Sequence, residues 1–322
     1  MMLLPPIDPI VGFVDKGLMR RLIDSACLEV GITGNTFRNI QCGRTKPSTT
    51  TFNKVERKFP FFLPFNFGNL FSLRSLARKN EWAAYLEGLR KGGLPSDFFP
   101  NLQCLIERLV ALDEEVEHKY RNTGKLIQCL ERVEPNIIVS DEISYIKVGM
   151  NRQEVRAVLG ASRVKVALLL ISCFEAEMML ISRSSCKDSI YQLFMKGNPR
   201  HEWVKLCLAY TGASSINELS RLYTNHFSSD YESAKRMIRR VSEGKHRVQS
   251  TSLENIISLC ESERCRYELK VAYYVSEIVG LLTQVISFGE KEGIVCTSSS
   301  DLLDRCYRGC FSYWQNKLGI VT

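Results

Sequence analysis

Apolar residues recur three and four positions apart over most of this chain, a spacing that predicts helices rather than strands. Leu70, Leu73, Leu76 and Ala77 form one stripe, and Trp82, Tyr85, Leu86 and Leu89 a second. Gly92, Gly93 and Pro95 interrupt the period before Leu102, Leu105, Ile106, Leu109 and Leu112 resume it. Gly149 to Gly160 reads as a turn and a helix, with Asn151 as its cap and Val155, Val158 and Leu159 inward. The most apolar run, Val164 to Ile181, contains Lys165, Glu175 and Glu177, so it predicts a buried core helix and not a membrane span. The period returns in the tail at Leu269, Tyr273, Ile278, Leu281, Leu282, Val285 and Ile286. Two stretches break the pattern. Residues 137–148 alternate and carry β-branched side chains, which admits a short strand pair. Phe59 to Phe67, FPFFLPFNF, has no helical period and reads as a plug over an apolar face, with a partner-docking surface as the alternative.

The stretch from Cys27 to Val55 organises the N-terminal part. Gly31 is a natural helix stop, Ile32 a turn-buried apolar residue, and Thr33 a hydroxyl cap for the next helix. In that helix Phe37 and Ile40 share an inward stripe, leaving Asn35, Thr36, Arg38 and Asn39 outward. Gly43 ends it, Arg44 and Lys46 follow, and Pro47-Ser48 opens a helix with Phe52, Val55 and Phe59 inward. An outward face of amide, hydroxyl and guanidinium groups suits base edges, because Asn pairs with adenine and Arg with guanine in the major groove. The basic loop behind it suits phosphates.

The order Gly31-Ile32-Thr33, Phe37, Ile40, Gly43-Arg44, Pro47-Ser48 resembles the lambda-repressor/Cro-like (XRE-type) helix-turn-helix family. The match covers the middle of a five-helix domain without gaps. Two positions depart from it: Cys27 stands where the family prefers alanine, and neutral Gln41-Cys42 precedes the terminal glycine. The resemblance implies double-stranded DNA as partner. It implies Asn35, Thr36, Arg38 and Asn39 as base readers, with Thr33, Arg44, Lys46 and Ser48 on phosphates. A plain helical hairpin with a solvated polar face is the bland alternative.

A second, divergent copy emerges when Gly244 is laid on Gly43. Ile238 then falls on Phe37, Val241 on Ile40, Lys245 on Arg44, Arg247 on Lys46, Leu253 on Phe52 and Ile256 on Val55. Residues 218–222 supply the first helix of the pair, and TNHFSSDYES predicts a turn several residues longer than in the family. Its outward residues would be Ser229, Glu232, Ser233, Lys235, Arg236 and Arg239. Phosphates would be held by Lys235, Arg236, Arg239, Arg240, Lys245 and Arg247. Two such heads could engage half-sites about a helical turn apart, or the second copy could serve only for packing.

Composition narrows the picture further. With 322 residues, 45% hydrophobic and 24% charged, a packed chain of two or three domains is expected. The divisions expected are a Cro-like domain over 1–66, a helical body over 67–198, and the divergent repeat with C-terminal helices over 199–322. The net charge of +8 is consistent with a polyanion partner, and it concentrates between Lys235 and Arg247, where Glu243 is the one acid. Twelve cysteines without a C-x-x-C pair, beside four histidines, make a metal or other cofactor unexpected. The opening MMLLPPIDPIVGF has no basic n-region and is broken by prolines, so no leader is expected and a reducing cytoplasm fits. Glu114, Glu115, Glu117 and His118 read as solvated charge. Arg240 and His246 have a spacing similar to the arginine–histidine pair of HEPN-type ribonucleases, but Val241 and Gly244 stand between them and a phosphate-binding loop explains both. The expected protein is therefore mainly α, with a Cro-like helix-turn-helix domain and a larger helical body that contains a second copy. It binds specific duplex DNA as a transcriptional regulator or as a DNA-targeting subunit of a mobile-element or phage-related system, without catalysis. The body is left for homodimerisation or a protein partner. A helical interaction scaffold is the competing class.

Overall fold

The computed structural model describes residues 2–5, 31–33, 35, 36, 48, 99–182, 189–246, 248–291 and 299–320. Among the described residues the secondary structure is α-helix and one 3-10 turn, with no strand. The chain divides into two compact units: 1–187 with 285–298 and 305–322, and 188–284 with 299–304.

In the first unit, α1 (Pro100–Lys119) and α2 (Thr123–Leu130) precede the 3-10 turn Asn136–Ile138 and three further helices: α3 (Ser140–Ile143), α4 (Arg152–Val158) and α5 (Gly160–Ser182). The strand pair expected over 137–148 does not form. A lone extended segment would leave its ladder groups unsatisfied, whereas a 3-10 turn and α3 satisfy them locally and bury Ile138 and Val139 beside α5. At α4 the expected cap is present in reciprocal form. Asn151 Oδ1 accepts from Glu154 N at 3.1 Å, and Glu154 Oε2 accepts from Asn151 N at 2.7 Å. Val155 and Leu159 are fully buried below it, with Val158 half-buried.

Helix α5 is buried along most of its length, which is why its four charges matter. Each ties it to a neighbour. The first, Arg163, donates through Nη2 to Arg156 O on α4 at 2.6 Å. Lys165 Nζ reaches Glu142 at 3.0 Å and Asp141 at 3.2 Å, and Glu175 accepts from the Tyr307 hydroxyl. Glu177 accepts from Asn101 N at 2.8 Å and Leu102 N at 2.9 Å. The last contact caps α1, whose own N-cap residue Phe99 makes no side-chain bond, and places a carboxylate on the positive end of the helix. No helix of the described residues is long and apolar enough to cross a membrane. Tyr307, Phe311 and Trp314, on α12 (Ser299–Leu318), also fill this core. Met2, Leu3 and Leu4 are buried with their backbone N–H groups on Asp113 Oδ1.

The second unit holds α6 (Gln192–Met195), α7 (Pro199–Thr211), α8 (Ile216–Phe227), α9 (Tyr231–Ser242), α10 (Ser250–Ser258) and most of α11 (Glu263–Lys291). Trp203 on α7 anchors its core. The indole packs edge-on to Tyr273 at 5.0 Å and donates to Leu269 O at 3.0 Å, both on α11. Leu219 and Tyr223 of α8, Ala234, Ile238 and Val241 of α9, and Leu253 and Ile256 of α10 complete it.

Candidate nucleic-acid interface

The pair α8–α9 forms where the second copy was expected, but with a different joint. Helix α8 begins at Ser215, whose Oγ accepts from Glu218 N at 3.2 Å. It then continues through TNHF, the part expected to be loop, because the Phe227 ring packs tilted against buried Tyr223 at 5.1 Å and so keeps the helical period. The long turn is thereby corrected to three residues, Ser228, Ser229 and Asp230. Ser228 takes the left-handed conformation at φ 49 and stops α8. Asp230 starts α9, its carboxylate accepting from Ser233 N at 2.8 Å.

The inward face of α9 is apolar at Ala234, Ile238 and Val241; Glu232, Ser233, Arg236, Arg239 and Arg240 are exposed. Two residues read as outward are less so. Lys235 is half-buried, its ammonium 5.6 Å from the centre of the Tyr231 ring, and Ser229 is half-buried in the turn. Glu243 gathers Arg239 and Lys245, each at 3.0 Å. Their hydrogen bonds, Lys245 first, hold its carboxyl below the usual glutamate range. Among the described residues no acid lies within ion-pairing distance of Arg236 or Arg240.

Helix α9 ends in a Schellman closure. Lys245 N donates to Arg240 O at 2.9 Å and Gly244 N to Val241 O at 2.8 Å. Gly244 makes this possible at φ +73; a Cβ there would stand 2.9 Å from the Asn198 amide nitrogen. This glycine ends the helix between Arg240 and His246, so the two do not share one helical face as an arginine–histidine catalytic pair on a single helix would.

Three residues missed by sequence reasoning fix this end. Asn198 Nδ2 donates to Ser242 O at 3.1 Å and Arg200 Nη1 to Gly244 O at 2.8 Å, while His201 Nδ1 lies 2.7 Å from Ser242 Oγ. Arg200 is held in turn by buried Glu277, its Nη2 at 2.9 Å from Oε2. The local sequence around Asn198 carries no sign of a contact 44 residues away.

Of the N-terminal copy, Gly31 lies at φ +74, and Thr33 Oγ1 accepts from Thr36 N at 3.1 Å, the expected cap. Asn35 and Ser48 are exposed and Thr36 is half-buried. Arg38, Asn39, Arg44, Lys46 and Arg247, with the apolar partners Phe37, Ile40 and Phe52 and the plug Phe59 to Phe67, lie outside the described residues. The described residues hold no group of three His, Cys, Asp or Glu side chains placed to bind a metal. In the acidic stretch of α1, Glu115 takes Lys119 and Arg132, and Glu117 takes Arg152. No family model, curated protein or solved structure matches the chain.

Proposed function

We propose that this protein binds specific duplex DNA through α8–α9 and the N-terminal Thr33–Ser48 segment, as a cytoplasmic transcriptional regulator or the DNA-targeting subunit of a mobile-element or phage-related system. One observation carries the reading. A three-residue joint presents a helix whose inward side is apolar and whose outward side holds Arg236, Arg239 and Arg240, with Lys245 and His246 following at its end. Such a helix has a buried side in the protein and an exposed cationic side, which suits a groove flanked by phosphates. No catalytic step, metal or cofactor is part of the proposal.

Binding to a random duplex, measured from 50 to 200 mM salt, tests it. Phosphate contacts make log affinity fall linearly and steeply with log salt, by about 0.9 per phosphate neutralised. A flat response would favour a helical scaffold that binds proteins. Within the N-terminal copy, Arg38→Ala is expected to relax preference at one base pair at a cost of about 1–3 kcal/mol, whereas Lys46→Ala weakens all duplexes alike and flattens the slope by about one. Equal losses on cognate and random DNA for Arg38→Ala would remove it from the base readers.

A further inference from the structure

The outward face of α9 is not uniformly basic, and its one acid is informative. Arg236 lies four residues after Glu232 and three after Ser233, and Arg240 four further on, so the four share one side of the helix. All four are exposed. Arg239 and Lys245, by contrast, are drawn to Glu243. Glu232 and Arg236 have the i,i+4 spacing of a helical ion pair, yet no such pair forms between them. A carboxylate on the first turn of a helix meant only for phosphates works against binding, since it repels the DNA backbone. It fits when a hydrogen-bond donor meets it, and the donor that duplex DNA offers in the major groove is a base amino group: cytosine N4 for an acid, with guanine O6 and N7 taking arginine. Helix α9, YESAKRMIRRVS, contains no Asn or Gln to pair with adenine.

We infer that α9 reads a G·C-containing element, with Arg236 on guanine and Glu232 on the amino group of cytosine, while Arg240 holds the backbone alongside. The inference rests on the DNA-binding reading above and deepens it by naming the bases. It also separates the two copies chemically, because Asn35, exposed on the N-terminal copy, is an amide suited to adenine. A target for both copies would then be two unlike elements rather than a palindrome.

The competing role for Glu232 is structural: an acid in the first turn favours the helix through its dipole. The substitution Glu232→Gln distinguishes these roles by sign, since glutamine keeps the shape, loses the charge and pairs with adenine. The experiment selects random duplexes with the full-length wild-type chain, Glu232→Gln and Arg236→Ala, then titrates each protein on its selected and scrambled duplexes. Expected for the wild type is a shared G·C element. Glu232→Gln should replace one cytosine by adenine in the selected sequences, lose about tenfold on the wild-type duplex, and bind scrambled DNA as well or better. Arg236→Ala should lose one guanine and again about tenfold on the selected duplex, with a smaller loss on scrambled DNA. A uniform gain on all duplexes for Glu232→Gln, with the preferred bases unchanged, would overturn the inference, as would selected sequences that Arg236→Ala leaves intact. Both results would leave duplex binding itself standing. Salt-independent or absent duplex binding by the wild type would bring down the functional reading and this inference together.

Discussion

Arg200 shows how a single side chain sets the geometry of the proposed interface. Its guanidinium bridges the carboxylate of Glu277, which is 4% exposed, and the carbonyl of Gly244 that closes α9. A buried carboxylate is tolerated where a cation and hydrogen bonds replace water; removing the cation leaves the desolvation uncompensated. Arg200→Ala should therefore destabilise the second unit by about 3 kcal/mol, and denaturant unfolding will measure it. It should also loosen the segment that carries Lys245 and His246, seen as faster amide exchange at Gly244 and Lys245. Unchanged exchange there would mean that the Schellman closure holds without the arginine. The sequence could not disclose this role. Arg200 follows Pro199 at the start of a helix, where a basic residue looks like ordinary solvated charge, and its partners are 44 and 77 residues away.

At the level of the element, local signals served well wherever the stabilising partner is near in sequence. The Asn151 cap, the Thr33 cap and the left-handed glycine after α9 could all be read directly, because each closes within a few residues. The end of α8 could not. Thr224, Asn225 and His226 are modest helix formers followed by two serines, and the choice falls to the Tyr223–Phe227 ring contact. The start of α9 carries its own test. Hydrogen bonds from Ser233, side chain and then backbone N–H, hold the Asp230 carboxyl below the usual aspartate range. A depressed folded-state pKa means the cap contributes stability above the unfolded value and loses it as pH falls through the lower folded value. Asn caps as well as Asp but does not titrate. The stability advantage of the wild type over Asp230→Asn should thus narrow from about pH 4 downward, followed by thermal unfolding at a series of pH values. A constant difference across that range would show that the charge of Asp230 plays no part in the cap.

For the molecule as a whole, periodicity identified a helical chain and a buried α5, but not which distant helices share a core. The stripe from Leu269 to Ile286 lies for the most part in the second unit, whereas residues 305–322 belong to the first. There the Tyr307 hydroxyl meets Glu175, and Gly309 lets Ile137 approach so closely that a Cβ would lie 2.6 Å from it. Tyr307 and Trp314 are 0% and 2% exposed. Losing a buried aromatic side chain costs about 3–5 kcal/mol, so losing both is comparable to the roughly 5–15 kcal/mol that holds a domain folded. A chain ending at residue 298 should consequently lose the slow amide exchange of α1 and α5. The second unit gives up only residues 299–304, Leu302 and Leu303 among them, and α8 and α9 should remain protected and still bind duplex DNA with a steep salt dependence. Hydrogen exchange resolved by mass spectrometry reads both units in one sample. Retained protection in α1 and α5 would show that their mutual packing is sufficient without α12, whereas loss of protection in α8 and α9 as well would make the two units a single cooperative structure.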